Sequence, residues 1–275
     1  MKTIIIATDF SPVATNALHY GIDMAKAVNA NLLLFNAYQI PVSYSDTPIV
    51  LISVEELKKG AEERLEKLKK EVEHITSGSL MVYTEAVMGN TSDELETLCE
   101  KIHPFAVVMG AKGTSGLEKV LFGSNTLTAI RHLKWPVISV PPGKQFGAGI
   151  KKIGFACDFR EVVSTTPSHI IKNFVAAFKA ELHVLNVDYH DKHFKPETPE
   201  QSALLHTLLE ECKPVYHFID NKDVEDGIRD FAEKNNIDLV IAIPKKHKLL
   251  EGLFKPSSTK QLIFQSHVPV LCVHE

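Results

Sequence analysis

Nothing in this sequence supplies a ready-made metal cage, a membrane anchor or a dominant charge. It has four cysteines, Cys99, Cys157, Cys212 and Cys272, none within a few residues of another. That spacing excludes Cys-x-x-Cys pairs and zinc ribbons. Scattered single thiols fit a reducing compartment better than a disulfide framework. A formal net charge of −4 gives no general attraction to nucleic acid or to an anionic membrane, so any phosphate binding has to be local. Long apolar runs are missing too. The opening Met-Lys-Thr-Ile-Ile-Ile-Ala meets Asp9 almost at once, too soon for a signal sequence or a membrane span. It reads as a buried strand, and the expectation is a cytoplasmic protein. A Walker loop (Gly-x4-Gly-Lys-Ser/Thr), an early Gly-x-Gly-x-x-Gly and a Gly-x-Ser-x-Gly elbow are all absent, and no nucleophile–base set stands out.

What is present is a repeat. The chain has 275 residues, room for two domains of roughly 130 residues each. Ile4-Ile-Ile-Ala-Thr-Asp-Phe10 resembles Ile153-Gly-Phe-Ala-Cys-Asp-Phe159. Ala30-Asn-Leu-Leu-Leu-Phe-Asn36 matches Ala180-Glu-Leu-His-Val-Leu-Asn186, and Trp135-Pro-Val-Ile-Ser-Val140 matches Val268-Pro-Val-Leu-Cys-Val273. Three matches in the same order argue for duplication. The join falls in the Pro- and Gly-rich stretch Pro141–Gly149, which separates a first domain at 1–143 from a second at 150–275.

Short apolar runs alternate with amphipathic stretches in each half. Strands are expected at Thr3–Ala7, Asn31–Ala37, Leu80–Ala86, Ala106–Met109 and Val137–Val140. The second set is Ile153–Ala156, Glu181–Val187, Val215–Ile219, Leu239–Ile243 and Val270–Val273. Apolar on both faces, they suit parallel sheets covered on both sides. Helices are expected from Ser11 as N-cap with Pro12 at the first position, over Val54–Ile75, from Thr91 with a Thr91–Glu94 capping box, and after Gly123-Ser124. In the second half the first helix starts late, at Thr166-Pro167, and the segment between the second and third strands is shorter. The fold class is α/β: two tandem Rossmann-like domains, each a five-stranded parallel sheet with helices on both faces.

Ligands of open α/β sheets sit beyond the carboxyl ends of the strands. The first strand ends in Ala7-Thr-Asp-Phe-Ser, and the fourth in Met109-Gly-Ala-Lys-Gly-Thr-Ser-Gly116, running on to Phe122-Gly-Ser-Asn-Thr126. Gly110, Gly113 and Gly123 would let backbone N–H groups approach phosphate oxygens, with Ser124 and Thr126 adding hydroxyls at a helix N-terminus. The same glycines could serve turns alone, with Ser124 as a cap.

Gly110-x2-Gly113-x9-Gly123-Ser124, after the fourth strand of a five-stranded unit, resembles the nucleotide-binding signature of the universal stress protein family. The likeness spans nearly the whole chain as two tandem domains. It implies the adenine nucleotide α hydrolase-like fold and ATP as ligand, with AMP or another adenine nucleotide as alternatives and Mg²⁺ beside it. It further implies that Asp9 contacts the nucleoside, and that Ala37, at the close of the second strand, packs at the adenine. Ala7 and Thr8 would line the base pocket with Met109 below it. Gly110, Gly113, Gly123, Ser124, Asn125 and Thr126 would hold ribose and phosphates, with Lys112 able to reach phosphate or to lie in solvent.

The second half keeps Asp158 but replaces Gly110 by Ile243, Gly113 by Lys246 and Gly123 by Pro256, while Ser257 and Ser258 survive. A degenerate site follows, since proline lacks an N–H and side chains crowd the approach. The basic loop Pro244-Lys-Lys-His-Lys248 could hold another anion or simply be solvated. His183, His190, His193, His206 and His217 crowd this half without zinc-site spacing, so no metal site is expected.

The leading expectation is a nucleotide-responsive regulatory protein rather than an enzyme, with at most slow ATP hydrolysis. The alternative is an interaction scaffold that binds no nucleotide. Val137–Val140 and Val270–Val273 are apolar edge strands that need covering. In this family the domains pair through that edge, which implies a pseudo-dimer within one chain. A homodimer of whole chains and an unidentified protein partner extend that expectation.

Overall fold

The structure, a computed structural model, describes residues 2–40, 53–111, 124–189, 196–244 and 266–274. The first half runs β1 (Thr3–Ala7), α1 (Pro12–Val28), β2 (Asn31–Tyr38), α2 (Val54–Ile75), β3 (Val82–Met88), α3 (Thr91–Ile102), β4 (Ala106–Gly110), α4 (Ser124–His132) and β5 (Val137–Val140). The second half runs β6 (Lys152–Ala156), α5 (Val162–Thr165), α6 (Ser168–Phe178), β7 (Glu181–Asp188) and α7 (Thr198–Leu209). It closes with a 3₁₀ turn at Glu210–Cys212, β8 (Val215–Asp220), α8 (Val224–Lys234), β9 (Leu239–Ala242) and β10 (Val270–Cys272).

Two separate five-stranded sheets were the expectation; the molecule has one ten-stranded mixed sheet, ordered β3-β2-β1-β4-β5-β10-β9-β6-β7-β8. All pairings within each half are parallel, and the two halves meet where β5 and β10 run antiparallel, with Leu271 opposite Ile138. The apolar edges did need covering, and they cover each other. Sequence periodicity describes each strand but carries no term for which edges join.

Local chemistry explains the helix ends. Ser11 caps α1 by accepting from Ala14 N, with Pro12 at the first position. Ser53 and Glu56 form a reciprocal capping box at α2, each side chain accepting the other's backbone N–H. At α3 the expected Thr91–Glu94 box is not what forms. The cap is Asn90, whose side-chain oxygen accepts from Ser92 N at 2.9 Å, because a short amide one residue earlier reaches that N–H first. The late start of the second-half helix holds at Ser168, with α5 filling part of the loop before it.

Side chains alternate between two layers. Ile4, Ile6, Leu32 and Leu34 belong to the layer that includes α1, α2, α6 and α7, while Ile5, Leu33, Val107 and Met109 belong to the layer that includes α3, α4 and α8. All four cysteines are free thiols; Cys99 and Cys272 are buried, and burial pushes the Cys99 thiol up to about 12. Among the described residues, no helix is long and apolar enough to cross a membrane.

Candidate functional site

In the first half β1 lies between β2 and β4, and helices leave β1 and β4 onto opposite faces of the sheet. That divergence is a topological switch point, and the crevice expected beyond the carboxyl ends of two such strands is the usual ligand position in an open α/β sheet. The register, Ile6 opposite Val108, brings Ala7-Thr8-Asp9 and Met109-Gly110 to the same end.

The segment after β1 is held by four short bonds. Thr8 N donates to Phe35 O at 2.9 Å, and Asn36 Nδ2 donates to Thr8 O at 2.7 Å. Phe10 N donates to Thr8 Oγ1 and Ser11 N to Asp9 Oδ1, both at 2.9 Å. This turn drives Phe10 to φ 63°, a left-handed conformation that a bulky residue adopts only when its surroundings impose it. Arg64 of α2 lies over the Phe10 ring, 3.8 Å from its centroid, and helps hold it there. Thr8 is therefore buried while Asp9 is exposed, with one carboxylate oxygen engaged by the turn.

Across the crevice, Met109 is buried and Gly110 half-buried. The need for glycine at 110 comes from packing: a Cβ there would stand 2.7 Å from Val13 Cγ1 and 2.8 Å from Val13 O, in the first turn of α1. Thr126 is buried, and its hydroxyl donates to Gly110 O at 3.1 Å. The donor that the sequence offered to a phosphate is thus engaged in fastening α4 to β4, its oxygen still able to accept. Asn125 is exposed beside it, and α4 opens at Ser124. The first N–H groups of a helix lack intrahelical acceptors and favour an anion. Ala37 is half-buried inside β2, which runs one residue further than expected, to Tyr38. Lys112, Gly113 and Gly123 lie outside the described residues.

Sequence reasoning thus missed Asn36, Phe10 and Arg64. Asn36 was visible as the partner of Asn186 in the repeat, and its amide role is duplicated: Asn186 Nδ2 donates to Cys157 O at 2.9 Å. Arg160 N donates to Asp158 Oδ1 at 3.1 Å and Phe159 has φ 50°, so the whole turn recurs. Ile243, opposite Gly110 in the repeat, is buried. Lys246, Pro256, Ser257, Ser258 and most of the Pro244–Lys248 loop lie outside the described residues, as do His190 and His193. Among the histidines described, His183 Nδ1 and His217 Nε2 are 2.9 Å apart, and burial holds both rings below the ordinary histidine range. Among the described residues, no group of three or more His, Cys, Asp or Glu is placed to hold a metal ion.

The comparisons with known proteins follow the repeat. The sequence profile of the universal stress protein family matches residues 1–141 and again 149–274. Universal stress protein MJ0531 of Methanocaldococcus jannaschii is 33% identical over 149 residues, 52% of this chain and 84% of that protein. Universal stress protein MJ0577 of the same organism is 27% identical over 156 residues, 50% of this chain and 94% of that one. Among solved structures, a universal stress protein from Archaeoglobus fulgidus DSM 4304 superposes with TM-score 0.72 at 18% identity, covering 99% of this chain and 98% of its own. PA1789 from Pseudomonas aeruginosa PAO1, described as functionally unknown, superposes with TM-score 0.63 at 13% identity, covering 99% and 92%. At such identities the superpositions show fold alone. With the profile matched once in each half, this chain belongs to the universal stress protein family as a tandem two-domain member.

Proposed function

We propose that the first half binds an adenine nucleotide, ATP in the first instance, and that occupancy regulates a surface offered to a protein partner. The observation that supports this best is the crevice between β1 and β4. An exposed Asp9 follows β1 at the same end of the sheet as the end of β4, where Gly110 and the head of α4 are fastened together by Thr126. A helix N-terminus held rigidly at a strand-end crevice is where phosphate is favoured. Asp9 would meet the ribose hydroxyls, while Ala7, Ala37 and Met109 supply an apolar wall for the base. Gly110, Asn125, Thr126 and the backbone at Ser124, with Lys112, Gly113 and Gly123, would hold the phosphates. Mg²⁺ fits this reading only as an ion carried by the phosphates, because the described residues offer it no protein cage.

Binding without fast turnover is the expected behaviour. The sequence offers no nucleophile–base set, so slow hydrolysis is the most that is proposed. Occupancy would shift the population of loop conformations only by the nucleotide's differential affinity for them. Calorimetry of the purified chain with ATP and AMP, beside a Gly113→Lys variant, tests the reading. Binding by the parent and its loss in the variant support it. No binding by the parent overturns it in favour of a scaffold, and phosphate release at enzyme-like rates overturns the regulatory reading in favour of catalysis.

A further inference from the structure

We propose that a groove at the junction of the two halves is a binding site for a small aromatic anion, separate from the strand-end crevice. The groove encloses about 740 Å³, within the range of small-molecule sites, which favour domain junctions. Its apolar surface comes from the half-buried Trp135 and Ile170, with the buried Phe105 and Phe174 beneath them. Its charged and titratable lining is Lys2, His103, Lys134 and His169. Among the described residues, no carboxylate lines it, although the chain as a whole carries a net charge of −4.

The fold explains why these groups converge. Phe105 and Trp135 precede β4 and β5, so they sit at the opposite end of the sheet from Gly110. Because β5 and β10 are antiparallel, the second half presents the head of α6 at this same end, with His169 and Ile170 in its first turn. Pro167 provides no side-chain cap there, which leaves that end electropositive. Phe105 and Phe174 stack across the junction with centroids 4.5 Å apart. Lys2 Nζ lies 4.7 Å from the Phe105 centroid, so a cation is already seated on an aromatic floor.

The duplication supplies an internal control. Phe105 N donates to Thr3 O and Asp238 N donates to Lys152 O, which places Asp238 where Phe105 stands in the other half. The left-handed caps at Asn29 and Lys179 likewise set Tyr20 opposite Ile170. At that related position the Asp238 carboxylate accepts from Lys151 N and Lys152 N, at 2.8 and 2.9 Å. Tyr20 is only 2% exposed and meets Phe146 of the linker edge-on at 5.3 Å. One junction position is thus acidic and filled by the chain itself. The other has exchanged the acid for a phenyl ring and the tyrosine for isoleucine, leaving an open basic groove. A flat ring would lie on the half-buried Trp135 and Ile170, and its negative group would meet Lys2 and Lys134.

Trp135 is the only tryptophan, so its emission reports binding directly. The full chain is titrated with 2-naphthoate by calorimetry and by Trp135 emission, alongside the neutral 2-naphthamide. Saturable binding of naphthoate is expected, with naphthamide about tenfold weaker. The Lys2→Glu/Lys134→Glu double variant should weaken naphthoate by at least about tenfold. Ile170→Tyr, which restores the residue of the filled position, should abolish binding, with thermal melting of both variants checking their folds. Saturating ATP should leave the naphthoate curve unchanged. Absence of saturable binding by the parent, equal binding of naphthamide, or unaltered binding by the charge-reversed double variant overturns the proposal. Displacement by ATP that is lost in Asp9→Ala also overturns it, by assigning the probe to the crevice at Asp9.

Discussion

The hydroxyl of Thr126 donates to the carbonyl oxygen of Gly110 across 3.1 Å, tying the first turn of α4 to the last residue of β4. The bond sets the separation between the two ends of the segment that joins them, and so sets the width of the proposed phosphate site. Thr126→Val keeps the shape and removes the bond, at a cost of about 1 kcal/mol in folding stability. ATP affinity should fall by more than that stability change alone explains, about tenfold, because the head of α4 is no longer fixed. Thr126→Ser should restore it. Calorimetry and denaturant midpoints on the two variants read both quantities. Equal ATP affinity in Thr126→Val and the parent would detach this bond from nucleotide binding.

Asp9 offers a sharper separation of charge from scaffold. Its Oδ1 accepts from Ser11 N at 2.9 Å, and an asparagine oxygen can do the same. Asp9→Asn is therefore expected to unfold at nearly the parent's midpoint while losing the acceptor strength that ribose hydroxyls would meet. Asp9→Ala should lose both the turn and the ligand. ATP binding measured on the pair should fall in order from parent to Asn to Ala; a parent-like value in Asp9→Ala would remove Asp9 from the site.

Gly110 shows a packing demand that no local sequence pattern displays. The sequence offers the glycine as room for phosphate, while the contact that demands it in the structure is Val13 in α1. No local pattern reveals that a helix 97 positions away in sequence crosses the strand end so closely. The second half carries a buried Ile243 at this point, and its long helix begins only at Ser168. Strand periodicity, by contrast, was legible, since the apolar runs at Ile4–Ile6 and Val107–Met109 depend only on burial on both faces. The seam at Leu271 and Ile138 was half legible: the sequence marked both strands as unsatisfied edges but could not say that they would merge into one sheet. The measurable consequence is that Gly110→Ala should cost about 1–3 kcal/mol in the absence of any nucleotide, from overpacking alone. A denaturant melt of the ligand-free variant that matches the parent would show that the glycine answers to a ligand instead.

The seam also predicts how the two halves unfold. Leu271 and Ile138 pair across it, and both are fully buried. Leu271→Ala should cost about 2–5 kcal/mol, as truncation of a buried leucine does. Trp135 stands in the first half, two residues before β5, so its emission follows that half although the mutation lies in the second. Trp135 emission and far-ultraviolet circular dichroism should shift together to the lower midpoint. An unshifted Trp135 transition would mean that the halves unfold independently despite their shared sheet.

The histidine pair of the second half sets the expected pH dependence. His183 Nδ1 and His217 Nε2 stand 2.9 Å apart, within hydrogen-bond reach when one of them carries a proton, with the rings stacked and His217 against Phe231, 4.6 Å between centroids. Burial lowers both; Glu181 pulls His183 partly back up, and Lys152 pushes it down. Both folded values lie below the unfolded value of about 6.5, so the native state binds fewer protons than the unfolded chain. Their contribution to stability is therefore fully present above about pH 6.5 and is lost as pH falls through that value toward the lower folded ones. His217→Phe removes one titrating group and keeps an aromatic ring against Phe231. Urea midpoints at about pH 7.5 and about pH 5.5 should drop less for the variant than for the parent, because one of the two rings with a lowered pKa is gone. If both proteins lose the same stability over this interval, the acid sensitivity belongs to other groups and the histidine pair contributes nothing to it.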